Sequence, residues 1–125
     1  MSALDTVHAF LDAAAIKDWD EALKYISPDC AYHNKMMDKV FGPDAVKATL
    51  EPFFGPTTEN ELRIIREMTD GTMVFAERLD RHLMEHGWVE LPVTGVWEVH
   101  DDKITLWNEY FDLQTIMGQM PATES

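Results

Sequence analysis

From residue 61 onward the chain reads as four alternating segments in a row: ELRIIREM (61–68), TMVFAERLDRHL (72–83), WVELPVTGVWEVH (88–100) and KITLWNEYFD (103–112). Apolar and polar residues alternate within each, and β-branched and aromatic types are frequent, which is the signature of strands with one buried face. The links TDG, MEHG and DD are two to four residues long. A parallel crossover needs a dozen or more residues, so these strands are predicted to pair antiparallel as a meander. The remaining, N-terminal part of the chain must then supply what covers the buried face.

That part has helical periodicity. Ser2, with Asp5 three positions on, resembles a capping box, and Leu4, Val7, Leu11, Ala14 and Ala15 fall on one helical face. A second, short helix is predicted from Asp18, with Trp19, Ala22, Leu23 and Ile26 as its apolar side and Pro28 as its end. DCAYHN (29–34) is a short extended piece in which Cys30, Tyr32 and Asn34 share a face. GPDAVKATLEPFF (42–54) is a third helix with Pro43 in its first turn. LQTIMGQM adds a last helical turn or two before a polar tail. Helices first and strands after give an α+β class, with helices packed on one face of a mainly antiparallel sheet. A strongly twisted sheet curled around those helices leaves a cone-shaped hollow, which the periodicity permits without demonstrating.

The length of 125 residues is that of one domain, 1–125, able to bury a genuine core. Cys30 is the single cysteine, so neither an intrachain disulfide nor a cysteine-pair metal site can form, which fits a reducing, cytoplasmic setting. The start MSALDTVHAF lacks the basic and apolar regions of a signal peptide, and no stretch approaches the ~20 apolar residues of a membrane span. A formal net charge of −13 disfavours nucleic acid, anionic membranes and anionic substrates. A neutral, hydrophobic small molecule is indifferent to that field.

Within VFAERLDRHL (74–83), alternation that turns Val74 inward also turns Ala76, Arg78, Asp80 and His82 inward. In the last strand Thr105, Trp107, Glu109 and Phe111 share a side, with Leu106, Asn108, Tyr110 and Asp112 opposite. Buried charges require partners, and Arg78 between Asp80 and Glu109 would form a carboxylate–arginine–carboxylate bridge. Such a bridge can hold two carboxyls in different protonation states, the requirement for one to donate a proton while the other accepts one. Tyr32 and Asn34 supply a hydroxyl and an amide suited to orienting water. The pattern also admits a plain reading, in which the charges are solvated cross-strand partners.

Together these residues resemble the limonene-1,2-epoxide hydrolases, a family within the cone-shaped NTF2-like (SnoaL-like) domains. The resemblance lies in YHN at 32–34, ERLDR at 77–81, ELPVTGVWEV at 90–99 and KITLWNEYFDLQ at 103–114, in that order. It implies that Asp80 is the general acid that protonates the epoxide oxygen and Glu109 the general base that takes a proton from water. Arg78 would bridge both, and Tyr32 and Asn34 would hold the water with Glu109. The implied product is a vicinal diol, formed in one step without metal or organic cofactor. Where the family pattern has an aspartate, this chain has Glu109, whose extra methylene moves the carboxyl by about 1.5 Å. Val74, Ala76, Val93, Trp107, Phe111, Met36 and Phe53 are the expected pocket walls, with His82 beside them, around a hydrophobic alicyclic or terpenoid epoxide.

Two other functions fit the same fold. One is an isomerase, cyclase or dehydratase with His33 or His82 as base; the other is a non-enzymatic carrier of small ligands, which would have no need to bury three charges. His82 and His86 are spaced i, i+4 but fall at a strand end and turn, so no metal site is expected, and Cys30 reads as an apolar filler. The outer sheet face with Leu106, Asn108 and Tyr110 is the expected contact of a homodimer, as in relatives.

Overall fold

The computed structural model describes residues 1–121. The elements run α1 (Ala3–Ala15), α2 (Trp19–Ala22), a 3₁₀ turn (Leu23–Tyr25), β1 (Ile26–Asn34), β2 (Val40–Phe41), α3 (Pro43–Phe54), β3 (Glu59–Thr69), β4 (Met73–Met84), β5 (Gly87–His100), β6 (Lys103–Tyr110) and α4 (Leu113–Met117). One six-stranded sheet has the order β2-β1-β6-β5-β4-β3. The pairs from β3 to β6 are antiparallel, so the expected meander is present; β1 joins it parallel to β6 and antiparallel to β2. The expected polar tail lies, from residue 122 on, outside the described residues.

Helix α1 begins as its sequence requires: Ser2 Oγ accepts from the Asp5 N–H, and Asp5 reaches back to the Ser2 N–H. Its buried stripe runs through Ala3, Val7, Phe10, Leu11 and Ala14, and it packs along one sheet face from β3 to β6. Helix α3 covers β1 and β2, and α4 covers β5. All of this leaves two separate apolar clusters. One, around Phe10, Tyr32, Trp97 and Trp107, lies under α1; the other joins Met84, Val89, Leu91, Val93 and Ile116 with Phe53 and Phe111. The space between them is not filled, and a pocket occupies it.

Three local expectations change. The second helix stops earlier: the chain passes through the 3₁₀ turn, and Ile26 opens β1 with Pro28 inside that strand. Ile26 pairs with Ile104 of β6, so strand pairing rather than the helical period claims it. Second, the partner of Glu98 is Leu106 and that of Val99 is Ile104, which leaves Thr105 as an unpaired bulge. Ile104 thus turns into the core while Thr105 leaves the inward face, and its Oγ1 donates to the Glu98 carbonyl. Third, the short β2 was not expected; its two residues pair with Ala31 and Tyr32 and hold the end of β1 in place.

Candidate active site

The register of the sheet brings the charged motif together. Tyr32 lies beside Trp107 and Asn34 beside Glu109 across the parallel β1–β6 pair. Gly95 lies opposite Glu109 on one side and opposite Ala76 on the other, and Arg78 pairs with Val93. Arg78 must therefore cross β5 to reach β6, and it does so over Gly95. A Cβ at that position would stand 2.7 Å from Arg78 Nη1, so only glycine leaves the path open.

The bridge expected from the sequence is formed in full. Arg78 Nε and Nη2 donate to Asp80 Oδ1 and Oδ2, both at 3.0 Å, and Nη1 and Nη2 donate to Glu109 Oε1 and Oε2, both at 2.9 Å. The Trp107 indole N–H also donates to Glu109 Oε1. All three charged side chains are buried, at 3 %, 7 % and 5 % exposure. Five charge-assisted bonds of this kind are what makes such burial tolerable. Beneath the guanidinium lies the Trp97 ring, 5.4 Å away and itself stacked on Trp107 at 6.1 Å.

The ionisation of the site follows from this packing. Burial pushes the Glu109 carboxyl above its ordinary value, and the Arg78 charge and the Trp107 N–H work against that shift. Burial tends to lower the Arg78 pKa, but Glu109 and Asp80 outweigh it, so the guanidinium stays charged. Glu109 accepts three N–H groups and Asp80 two. Tyr32, stacked on Trp107 at 4.3 Å, has its phenol pushed well up by burial and then by the Glu109 charge, and so keeps its proton. Asn34 Oδ1 accepts from the Met36 N–H at 3.0 Å, which fixes the amide and frees its NH₂ to donate on the Tyr32 side.

These five residues line one cavity of about 300 Å³. Trp107, Val93, Phe111, Met36, Phe53 and His82 line it as expected, joined by Phe10, Leu50, Leu91 and Ile116, while Met37 and Leu113, exposed like Met36, are also at its edge. Val74 and Ala76 do not line it. Both are sealed, together with Trp97, in the fully buried cluster under α1. Trp97 and Gly95 were missed because each reads, in sequence, as an ordinary strand residue. His33 is half-buried outside the pocket beside Lys35, so it is not placed to act as a base there. His86 contacts the Gln119 carbonyl, whereas His82 is on the pocket wall, and no three His, Cys, Asp or Glu side chains converge to hold a metal among the described residues. Cys30 is a buried free thiol, pushed up to about 12 by burial, consistent with a filler.

The family model for the limonene-1,2-epoxide hydrolase catalytic domain matches residues 1–122. Epoxide hydrolase EphG of Mycobacterium tuberculosis is 34% identical over 107 residues, 86% of this chain and 71% of that protein. The solved structure of an M. tuberculosis LEH-like epoxide hydrolase superposes with a TM-score of 0.79 at 32% identity, over 93% of this chain and 86% of the other. A proposed SnoaL-like polyketide cyclase from Shewanella putrefaciens gives 0.83 at 16% identity over 94% and 84%, a likeness of fold alone that bears out the expected cone. The chain belongs to the limonene-1,2-epoxide hydrolase family, hydrolases that act on epoxides.

Proposed function

We propose that the protein adds water to a hydrophobic epoxide, alicyclic or terpenoid, in one general acid/base step that yields a vicinal diol. The observation that carries this reading is the Arg78 bridge, which holds two buried carboxylates on the wall of an otherwise apolar pocket, next to Tyr32 and Asn34. In the reacting complex Asp80 carries the one proton of the carboxyl pair and gives it to the ring oxygen. Water held by Tyr32, Asn34 and Glu109 attacks a ring carbon. As the new C–O bond forms, the ring C–O bond breaks and the water proton passes to Glu109. Glu109 Oε2 accepts one N–H where Oε1 accepts two, so Oε2 keeps the lone pair for that proton. A bridge with one shared proton is neutral overall, the state that a low-dielectric site favours. Side chains fill every role in the step, so it calls for neither metal nor organic cofactor.

The cavity is at the small end of the range for ligand pockets, which suits a monocyclic skeleton. The same reading includes a cytoplasmic homodimer with no nucleic-acid or membrane partner. Its contact would be the outer sheet face, where Tyr110 and Phe75 are exposed; light scattering showing a monomer at micromolar concentration would remove the dimer. The main test is diol formation from limonene oxide, cyclohexene oxide and styrene oxide without added metal. Turnover that disappears in Asp80→Asn supports the step, and near wild-type turnover in that variant refutes the acid assignment.

A further inference from the structure

His82 is fully buried on the pocket wall, in T-shaped contact with Phe53 and Phe54 at ring-centroid distances of 4.8 Å and 5.3 Å. Its Nδ1 contacts Asn60 Oδ1 at 2.7 Å. The Asn60 NH₂ donates to the Ala15 carbonyl at 3.1 Å and to Thr57 Oγ1 at 2.9 Å, so Oδ1 can only accept. Nδ1 therefore bears the proton. Burial lowers the His82 pKa, although the Asp80 charge opposes this, so the ring is neutral and Nε2 presents a bare lone pair.

Nε2 has no hydrogen-bond partner among the described residues. Nor is it sealed: among those residues the one fully occluded side-chain nitrogen or oxygen without a partner is Trp97 Nε1. The ring itself lines the cavity, the space next to it. Outside the catalytic five, the other polar side chain on that wall is Thr49, whose hydroxyl donates to the Ala45 carbonyl at 2.9 Å. An apolar residue would fill the same wall without leaving an acceptor unmet beside apolar neighbours.

We propose that the substrate is an epoxide bearing a hydroxyl group on its skeleton, remote from the ring oxygen, and that His82 Nε2 accepts this hydroxyl's hydrogen bond. The inference rests on the epoxide hydrolase reading and deepens it. Asp80 and His82 are two residues apart on one strand face, about 6.7 Å along the strand. The hydroxyl thus sits four or five bonds from the epoxide oxygen. His82 is a specificity-determining residue in this scheme, acting on a part of the substrate that does not react.

The test compares two cyclohexene oxides that carry, at the ring position remote from the epoxide, either a hydroxymethyl or a methyl group. Wild type is expected to show kcat/KM on the order of tenfold higher for the hydroxymethyl compound, the effect of one buried hydrogen bond. In His82→Leu that ratio should fall to one or below. A wild-type ratio of one or less, or a ratio unchanged in the variant, overturns the proposal. If the variant does not fold, ¹⁵N spectra of the wild-type histidines decide the matter: the diol with the hydroxymethyl group should move the Nε2 resonance of His82, and the methyl diol should not. An unmoved Nε2 overturns the proposal. Because the diols need no turnover, the same spectra test the His82 contact even if neither epoxide is hydrolysed, an outcome that would refute the proposed reaction itself.

Discussion

Gly95→Ala is a change of one methyl group on a strand that contributes no catalytic side chain, and the structure gives its cost. The new Cβ would lie 2.7 Å from Arg78 Nη1 and 2.8 Å from Trp97 Cζ3. Non-bonded heavy atoms of this kind settle at about 3.5–4.0 Å, so something must retreat by about 1 Å. Neither neighbour is free to do so. Four N–H···O bonds of 2.9–3.0 Å hold the guanidinium, and the Trp97 ring is stacked on Trp107 with no exposure. A shift of this size lengthens the Arg78–Glu109 bonds beyond hydrogen-bonding range and displaces the carboxylate proposed as the base. The expected outcome is a kcat lower by on the order of a hundredfold. Overpacking should cost about 1–3 kcal/mol, small enough that the domain stays folded. Thr94→Ala, one residue along and facing solvent, is the control and should change stability by no more than about 0.5 kcal/mol. Initial rates of diol formation together with thermal melts check both numbers. A folded Gly95→Ala protein with wild-type kcat would refute the claim that the arginine path over β5 sets the geometry.

Glu109→Asp should lower kcat rather than restore a family-like site, because the shorter side chain withdraws the carboxylate from two 2.9 Å bonds; a rate equal to wild type would show that the backbone closes the gap. Tyr32→Phe keeps the stack on Trp107 and removes only the hydroxyl, so kcat should fall at least tenfold with a near-native melting temperature; an unchanged rate removes Tyr32 from water positioning. The base must be ionised to act, and the Glu109 pKa is raised, so kcat/KM should decline with falling pH in a limb that lies above the ordinary glutamate value of 4.5; an acid limb at or below that value contradicts the assignment. The sign for stability is opposite: the neutral form of Glu109 is the favoured one when folded, so its contribution is complete below pH 4.5 and is lost as pH rises through the folded pKa, a trend that Glu109→Gln should flatten in melts across pH.

What could be read from the sequence was whatever broke a strand's own rule. Arg78, Asp80 and Glu109 stood out because alternation sends them to a face where charge is costly, and the same alternation placed Tyr32 and Asn34 toward them. The meander followed from links too short for any other connection. What stayed hidden depends on contacts between distant elements. Val74, Ala76 and Val93 have identical sequence credentials as inward apolar residues, yet only Val93 borders the pocket, because the other two are sealed in the cluster that packs under α1. The bulge at Thr105 has no local marker and reverses which neighbour faces inward. Ile26 fits a helical stripe as well as a strand and is decided by Ile104, far along the chain. The tautomer of His82 is fixed by Asn60, whose own orientation is set by α1.

The glutamate at 109 then ceases to be an isolated departure from the family pattern. Arg78 and Glu109 stand on β4 and β6, two strand spacings or about 9.6 Å apart, with β5 between them. The arginine covers most of that span only because Gly95 leaves its path clear, and Glu109 covers the remainder, meeting Nη1 and Nη2 end-on with both oxygens at 2.9 Å. The Trp107 N–H donates to Oε1 of the same carboxylate, which the longer side chain brings within its reach. Arginine length, glycine gap and glutamate length are thus one geometric solution, and altering any one of the three should fail unless another is altered with it. Gly95→Ala and Glu109→Asp share the guanidinium as partner, so their combined cost should differ from the sum of the two; strict additivity would show that the bridge is not the unit on which catalysis depends.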